Sequence, residues 1–137
     1  SAASDVYKRQ DLDLSDCCYY LGPKTHRELS ELYNQADIMI FPTMLYESLG
    51  LVGIEAMACG CPVIGSDIGC LPEYIKEGIT GFLFEPGNSH ELAERIVDFY
   101  KLTEKQRNTM RLEAIRYVDK YESRKISQAL INKIKEI

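Results

Sequence analysis

No stretch of this sequence approaches the roughly 18–20 consecutive apolar residues that a membrane-spanning helix requires. The amino-terminal region also lacks the basic, apolar and small-residue order of a secretory leader. Lys and Arg gather on no single face, and 16 of them against 21 Asp and Glu leave a net charge of −5. A nucleic acid or an anionic membrane needs a basic patch, so neither is an expected partner. Basic residues thicken only between Lys101 and Lys135, interleaved with acids, as on solvated helix faces. Five cysteines (Cys17, Cys18, Cys59, Cys61 and Cys70), odd in number with two close pairs, make a poor disulfide framework. Cys59-Gly60-Cys61 has no matching second pair, and His26 and His90 stand at helix-start contexts rather than at ligand spacing. No metal site is expected. The cysteines read instead as reduced, buried core fillers, which places the chain in the cytoplasm. Internal repeats and low-complexity tracts are missing too.

What is present fits one small domain. A chain of 137 residues with 45% apolar composition can bury one core. Residues 1–10 show no usable periodicity and read as a candidate non-native tail of the kind that translated sequencing-adaptor DNA leaves. Asp11 to Asp16 is an acidic lead-in to the domain, residues 11–137. Cys17-Cys18-Tyr19-Tyr20-Leu21 predicts a first strand with its exit at Gly22-Pro23. Thr25 with Glu28 predicts a capped helix carrying Leu29, Leu32 and Tyr33. Asp37–Phe41 predicts a second strand stopped by Pro42, and Leu49–Cys59 a helix ended by Gly60. Pro62–Ser66 predicts a third strand, Leu71–Ile75 a short helix, and Phe82–Phe84 a fourth strand. Asn88 with Glu91, and Thr103 with Gln106, open two more helices, and Ile126, Leu130, Ile134 and Ile137 stripe a last one. Strands without alternation, each separated by a helix, imply an α/β fold: a Rossmann-like parallel sheet of about four strands with both faces covered.

Parallel sheets of this kind bind ligands where strand carboxyl ends meet helix amino ends. Two such junctions follow Leu21 and Phe41, and the second is richer. Glu55 is the only charged residue between Leu49 and Ile64, in a helix that reads as buried on nearly every side. A buried carboxylate needs donors. Vicinal sugar hydroxyls could supply them, and so could a backbone or Tyr donor, or a gap to solvent. The first amides of the helix have no internal acceptors and favour an anion such as a diphosphate. On that reading Gly50 and Gly53 clear side chains from its path, although glycine-tolerant turns are common. At about 1.5 Å per residue, Glu55 lies roughly 7 Å beyond the helix start, with its side chain tilted back toward it. A ribose attached to the diphosphate would come near it. Glu47 precedes the helix on the side where a transferred sugar would lie, and could equally be an ordinary loop glutamate favoured by the helix dipole.

Glu47 and Glu55, with seven residues between them, sit in a run from Glu47 through Pro62-Val63-Ile64 that closely resembles the E-x7-E signature of glycosyltransferase family 4. The likeness continues through Ser66-Asp67-Ile68-Gly69-Cys70-Leu71-Pro72-Glu73 and Glu77-Gly78-Ile79-Thr80-Gly81-Phe82, and covers about residues 17–137. It implies a partial carboxyl-terminal domain of the two-domain GT-B fold, binding a nucleoside diphosphate sugar as substrate, with no cofactor and no required metal. Glu55 would hold the ribose hydroxyls. Glu47, the candidate catalytic residue, would contact the donor sugar. The backbone of Ser48, Leu49, Gly50 and Leu51 would cradle the diphosphate. Gly22, Pro23 and Lys24 match the loop that borders the base, though Lys24 could simply be a solvated lysine. Glu73 matches as well, and reads as a loop or helix-start residue; Thr43 and Tyr46 have no assigned role.

Transfer with retention of configuration is the implied reaction. The family places further strand–helix units, carrying an Arg and a Lys that neutralise the diphosphate, before Cys17. It also places an amino-terminal acceptor domain before those. The chain is therefore expected to be an inactive fragment with weak donor binding and a tendency to self-associate. The acceptor half would belong to the same full-length chain, or to a separate subunit if the protein is a donor-binding half of a split transferase. A sugar-nucleotide epimerase, a glycogen synthase relative and a ligand-free structural domain are the other readings. The full-length protein could lie at the membrane periphery.

Overall fold

In the computed structural model, residues 8–121 of the chain are described. Residues 8–11 are helical and lead through turns to a stretch without regular secondary structure at 18–22. The named elements then run as helix α1 (His26–Gln35), strand β1 (Met39–Phe41), helix α2 (Leu51–Ala58) and strand β2 (Val63–Ser66). They continue as helix α3 (Leu71–Tyr74), strand β3 (Gly81–Phe84), helix α4 (Ser89–Lys101) and helix α5 (Glu104–Val118), closed by a 3-10 turn at Asp119–Tyr121. The expected last helix lies outside the described residues.

Local chemistry starts the helices. Thr25 accepts from the Glu28 amide at 3.3 Å, and Glu28 takes the Thr25 amide in return at 2.8 Å. Thr103 and Gln106 repeat this box at α5, and the Asn88 side chain accepts from the Glu91 amide at α4. Pro72 enters the first turn of α3, where its missing N–H costs nothing.

The sheet is parallel in the order β1-β2-β3, with Met39 opposite Val63 and Val63 opposite Gly81. Both of its faces are covered. Met39, Phe41, Val63 and Leu83 join a core with Ala56, Met57, Leu71, Tyr74, Ala114 and Val118. Ile38, Ile40, Ile64, Phe82 and Phe84 join another with Phe99 and Met110. Neighbouring residues of a strand thus feed opposite cores, which explains the unbroken apolar runs. At Gly81 a Cβ would stand 1.9 Å from the Val63 carbonyl oxygen, so the β2–β3 approach requires a residue without one.

The expected first strand does not form. Cys17 and Cys18 end a turn whose amides return to the Leu14 carbonyl, at 3.1 and 2.9 Å. Tyr19 and Tyr20 are 75% and 71% exposed. An apolar run becomes a strand only where another strand meets its backbone, and among the described residues nothing does. Among the described residues the sheet therefore has three strands, against about four expected. Cys17 and Cys18 are exposed instead of filling a core, and Cys59 is half-buried; Cys61 and Cys70 are buried. Burial pushes the Cys61 thiol up to about 11 from its ordinary 9.0.

Candidate functional site

The loop after β1 carries the densest set of candidate residues. Met44, Leu45 and Tyr46 are exposed there, and Thr43 makes only a local turn, accepting from the Leu45 amide at 3.1 Å. The loop ends at Gly50, which takes the left-handed conformation (φ 57°, ψ 43°) and caps α2 without any side-chain hydrogen bond. No acidic residue occupies the first turn. The helix start therefore keeps its positive partial charge, beside the carboxyl end of β1, with exposed Ser48, Leu49 and Leu51 around it.

Gly50 and Gly53 have a steric role that their sequence context does not suggest. A Cβ at Gly50 would lie 2.7 Å from the Tyr74 hydroxyl, and one at Gly53 would lie 2.5 Å from it. Both glycines make room for this buried ring. The Tyr74 hydroxyl donates to the Gly50 carbonyl at 3.1 Å. Burial drives that phenol well above its ordinary range.

Glu47 is half-buried, and its backbone is seated on the turn before α3. The Cys70 amide donates to the Glu47 carbonyl at 3.0 Å. Gly69 (φ +61°) comes so close that a Cβ there would sit 2.4 Å from the same oxygen. Among the described residues, no hydrogen bond or ion pair engages the Glu47 carboxylate.

Glu55 differs from its expectation in one respect. Its helix is not buried all round: Leu51 is 56% exposed, Val52 is 40% exposed, and Glu55 itself is half-buried. The carboxylate borders a cavity of about 330 Å³, shared with Ile54, Ala58, Ile115, Val118, Asp119 and Tyr121. Burial, and next to it the Glu55 charge, push the Tyr33 phenol upward. Yet no Tyr33 hydrogen bond reaches the acid, and no described residue donates to it. Like Glu47, it is free to receive hydroxyl donors from a ligand.

The Gly22–Lys24 loop stands apart. Gly22 and Lys24 are half-buried and Pro23 is exposed. The Lys24 ammonium donates to the Leu21 carbonyl of its own loop. No hydrogen bond or ion pair joins this loop to Glu47–Glu55 among the described residues. The connection runs through α1 and α2, where the Ser30 hydroxyl and Cys59 thiol meet at 3.6 Å. Glu73 is exposed in α3 and contributes its carbonyl, which accepts from the Tyr117 hydroxyl at 3.0 Å. A cavity of about 650 Å³ lies along α4 against Asn88, His90, Glu91, Glu94, Asp98 and Lys101. Its charges pair locally, as His90 does with Glu94 at 3.6 Å and Lys101 with Asp98 at 3.6 Å.

Sequence reasoning missed Tyr74 and the Cys70 amide, because a contact across 24 residues leaves no periodic trace. A faint signal existed at Gly69, which interrupts an otherwise helix-compatible stretch.

Comparison with known proteins adds a family and relatives. The family model described as Glycosyl transferases group 1 matches residues 5–116. The N-acetyl-alpha-D-glucosaminyl L-malate synthase of Bacillus anthracis is 37% identical over 99 residues, covering 72% of this chain and 25% of that protein. Sucrose-phosphate synthase from Thermosynechococcus elongatus superimposes with a TM-score of 0.82 at 28% identity, over 93% of this chain and 32% of its own. Anabaena HepE in complex with UDP gives 0.88 at 25% identity, over 98% and 37%. The chain thus spans about a quarter of the length of the curated relative and about a third of each solved chain.

Proposed function

The chain belongs to the group 1 glycosyl transferases, and from that membership we propose that it forms part of the carboxyl-terminal, donor-binding domain of a retaining family 4 enzyme. Its α/β fold is shared with GT-B transferases. The donor is a nucleoside diphosphate sugar. Its diphosphate lies at the uncapped start of α2, against the amides of Ser48, Leu49, Gly50 and Leu51. Glu55 takes the ribose hydroxyls, Glu47 takes hydroxyls of the sugar, and Gly22, Pro23 and Lys24 border the base. Neither a metal nor a cofactor enters the reaction. The acceptor is held by an amino-terminal domain of the full-length cytoplasmic protein. Transfer needs both substrates in register, so this chain by itself binds donor without transferring its sugar.

One observation carries the reading: two half-buried carboxylates bracket an uncapped helix start at a strand's carboxyl end, and no described residue donates to either of them. Such a set of acceptors around a cluster of free amides suits a ligand that is anionic in its middle and rich in hydroxyls at both ends. The UDP bound to Anabaena HepE makes UDP the first probe. Calorimetric titration should show weak binding of UDP to the chain, because the diphosphate meets helix-end amides without a paired cation here. Glu55→Gln should weaken it about tenfold or more, as expected when charge-assisted hydrogen bonds to hydroxyls become neutral ones. Equal UDP affinity in the wild type and in Glu55→Gln would overturn the assignment.

A further inference from the structure

The loop between Glu47 and Gly50 is held at both ends by one short segment. At one end the Cys70 amide takes the Glu47 carbonyl at 3.0 Å; at the other the Tyr74 hydroxyl takes the Gly50 carbonyl at 3.1 Å. Between them Ser48 and Leu49 are exposed, and no hydrogen bond from another described residue holds them. The two anchors therefore set the shape of the loop. Tyr74 is only 1% exposed, and Leu71, Ile75 and the glycine faces of α2 enclose its ring, so the hydroxyl cannot swing away.

A peptide unit is planar and trans, so a carbonyl and the following N–H point in opposite directions. Fixing the Glu47 carbonyl toward Cys70 turns the Ser48 N–H away from α3. Fixing the Gly50 carbonyl toward Tyr74 does the same for the Leu51 N–H. Two amide donors thus face outward from one seat.

We propose that Gly69–Tyr74 is a clamp that presents the Ser48 and Leu51 amides to the diphosphate of the donor, with Tyr74 and Gly69 as its positioning residues. This rests on the donor-binding reading and adds residues that never touch the ligand. Gly69 acts by its missing side chain, which lets the Glu47 backbone settle onto the turn. Tyr74 acts by a single hydroxyl, which shares the Gly50 carbonyl with the Gly53 amide at 3.0 Å.

Tyr74→Phe keeps the ring and removes only that hydroxyl. Amide hydrogen exchange without nucleotide is the first readout, and exchange at Gly53 and Cys70, whose N–H groups bond the two anchored carbonyls, should accelerate about tenfold in the variant. UDP titration is the second, and affinity per folded molecule should fall about tenfold. Unchanged exchange at both amides would overturn the clamp whatever UDP does. Faster exchange with unchanged UDP affinity, in a chain whose binding still needs Glu55, would overturn its role in presenting donors while leaving the donor site intact. Faster exchange in a chain that binds no UDP even as wild type would instead sink the donor reading, and the proposed ligand with it. Should Tyr74→Phe not fold, the wild type still decides: its Tyr74 hydroxyl proton should exchange slowly enough to be seen by NMR, and a freely exchanging proton overturns the clamp.

Discussion

Along the outer edge of β3, Leu83 donates its N–H to Glu77 at 2.9 Å and accepts from Arg95 Nε at 2.9 Å, whereas β1 has, among the described residues, one hydrogen bond beyond its β2 ladder, from the Met39 N–H to the carbonyl of Pro62 just before β2 at 2.9 Å. Arg95 is itself braced by Glu77 at 3.3 Å, Glu91 at 3.5 Å and Asp98 at 3.7 Å. One border of the sheet is thus sealed by the chain's own side chains, and the other leaves backbone groups for water or for another strand. The difference matters because the loop with Glu47 leaves from β1, on the unsealed side. There Tyr19, Tyr20 and Leu21 are exposed. The Glu47–Gly50 loop is anchored on α3 and its cap, through the Tyr74 hydroxyl and the Cys70 amide, and among the described residues no hydrogen bond ties it to Gly22–Lys24. On the proposed reading, further strands of the full-length domain lie against β1.

The comparison would be broken most completely at Gly81. A Cβ there meets the Val63 carbonyl at 1.9 Å, backbone against backbone, so no side chain can move aside. Gly81→Ala should separate β2 from β3 and lower stability by about 3 kcal/mol or more. Urea denaturation measures this; an unchanged midpoint would mean that the β2–β3 approach is looser than described. A smaller loss should follow Arg95→Ala, which opens the sealed border without touching the ladder. It removes the donor to Leu83 and strands Glu77 and Glu91 together. With the Arg95 side chain 30% exposed, the cost should be about 1–2 kcal/mol. Hydrogen exchange should then accelerate at Leu83, bringing this border closer to that of β1. Exchange at Leu83 as slow as in the wild type would show that Glu77 seals the edge alone.

What could be read from the sequence divides along the same line. Caps at Thr25, Asn88 and Thr103 were legible because each depends on residues three apart. β1, β2 and β3 were legible as short apolar runs bounded by Pro or Gly. Cys17–Leu21 has the same pattern and forms no strand, since composition shows that a segment could be buried and never whether a partner strand is at hand. Glu55 was legible as an acid out of place in an apolar run, whereas Glu47 was singled out only by the resemblance of the Glu47–Ile64 run to a known signature. The burial of α2 was overestimated, because an apolar composition on every side does not reveal that Leu51 and Val52 lack a neighbour. Gly50 and Gly53 were singled out as positions that demand glycine, but the Tyr74 ring that presses on both was not foreseen. Tyr74 comes from a distant helix.

The sealed half has its own flaw, at Ser66. This residue ends β2 opposite Phe84, is fully buried, and its hydroxyl has no hydrogen-bond partner among the described residues. A buried hydroxyl left unpaired forfeits its hydration without recompense, so removing it should help rather than harm. Ser66→Ala should raise stability by up to about 1 kcal/mol, the smallest of these effects, since the lost oxygen also leaves a slight void. Thermal denaturation at fixed pH would show the midpoint rising by a few degrees. A fall instead would reveal that the hydroxyl is satisfied in solution, by a trapped water or by a ligand entering from the carboxyl end of the sheet. Repeating the melt with saturating UDP separates those two, because only a ligand contact would enlarge the wild type's advantage when nucleotide is added.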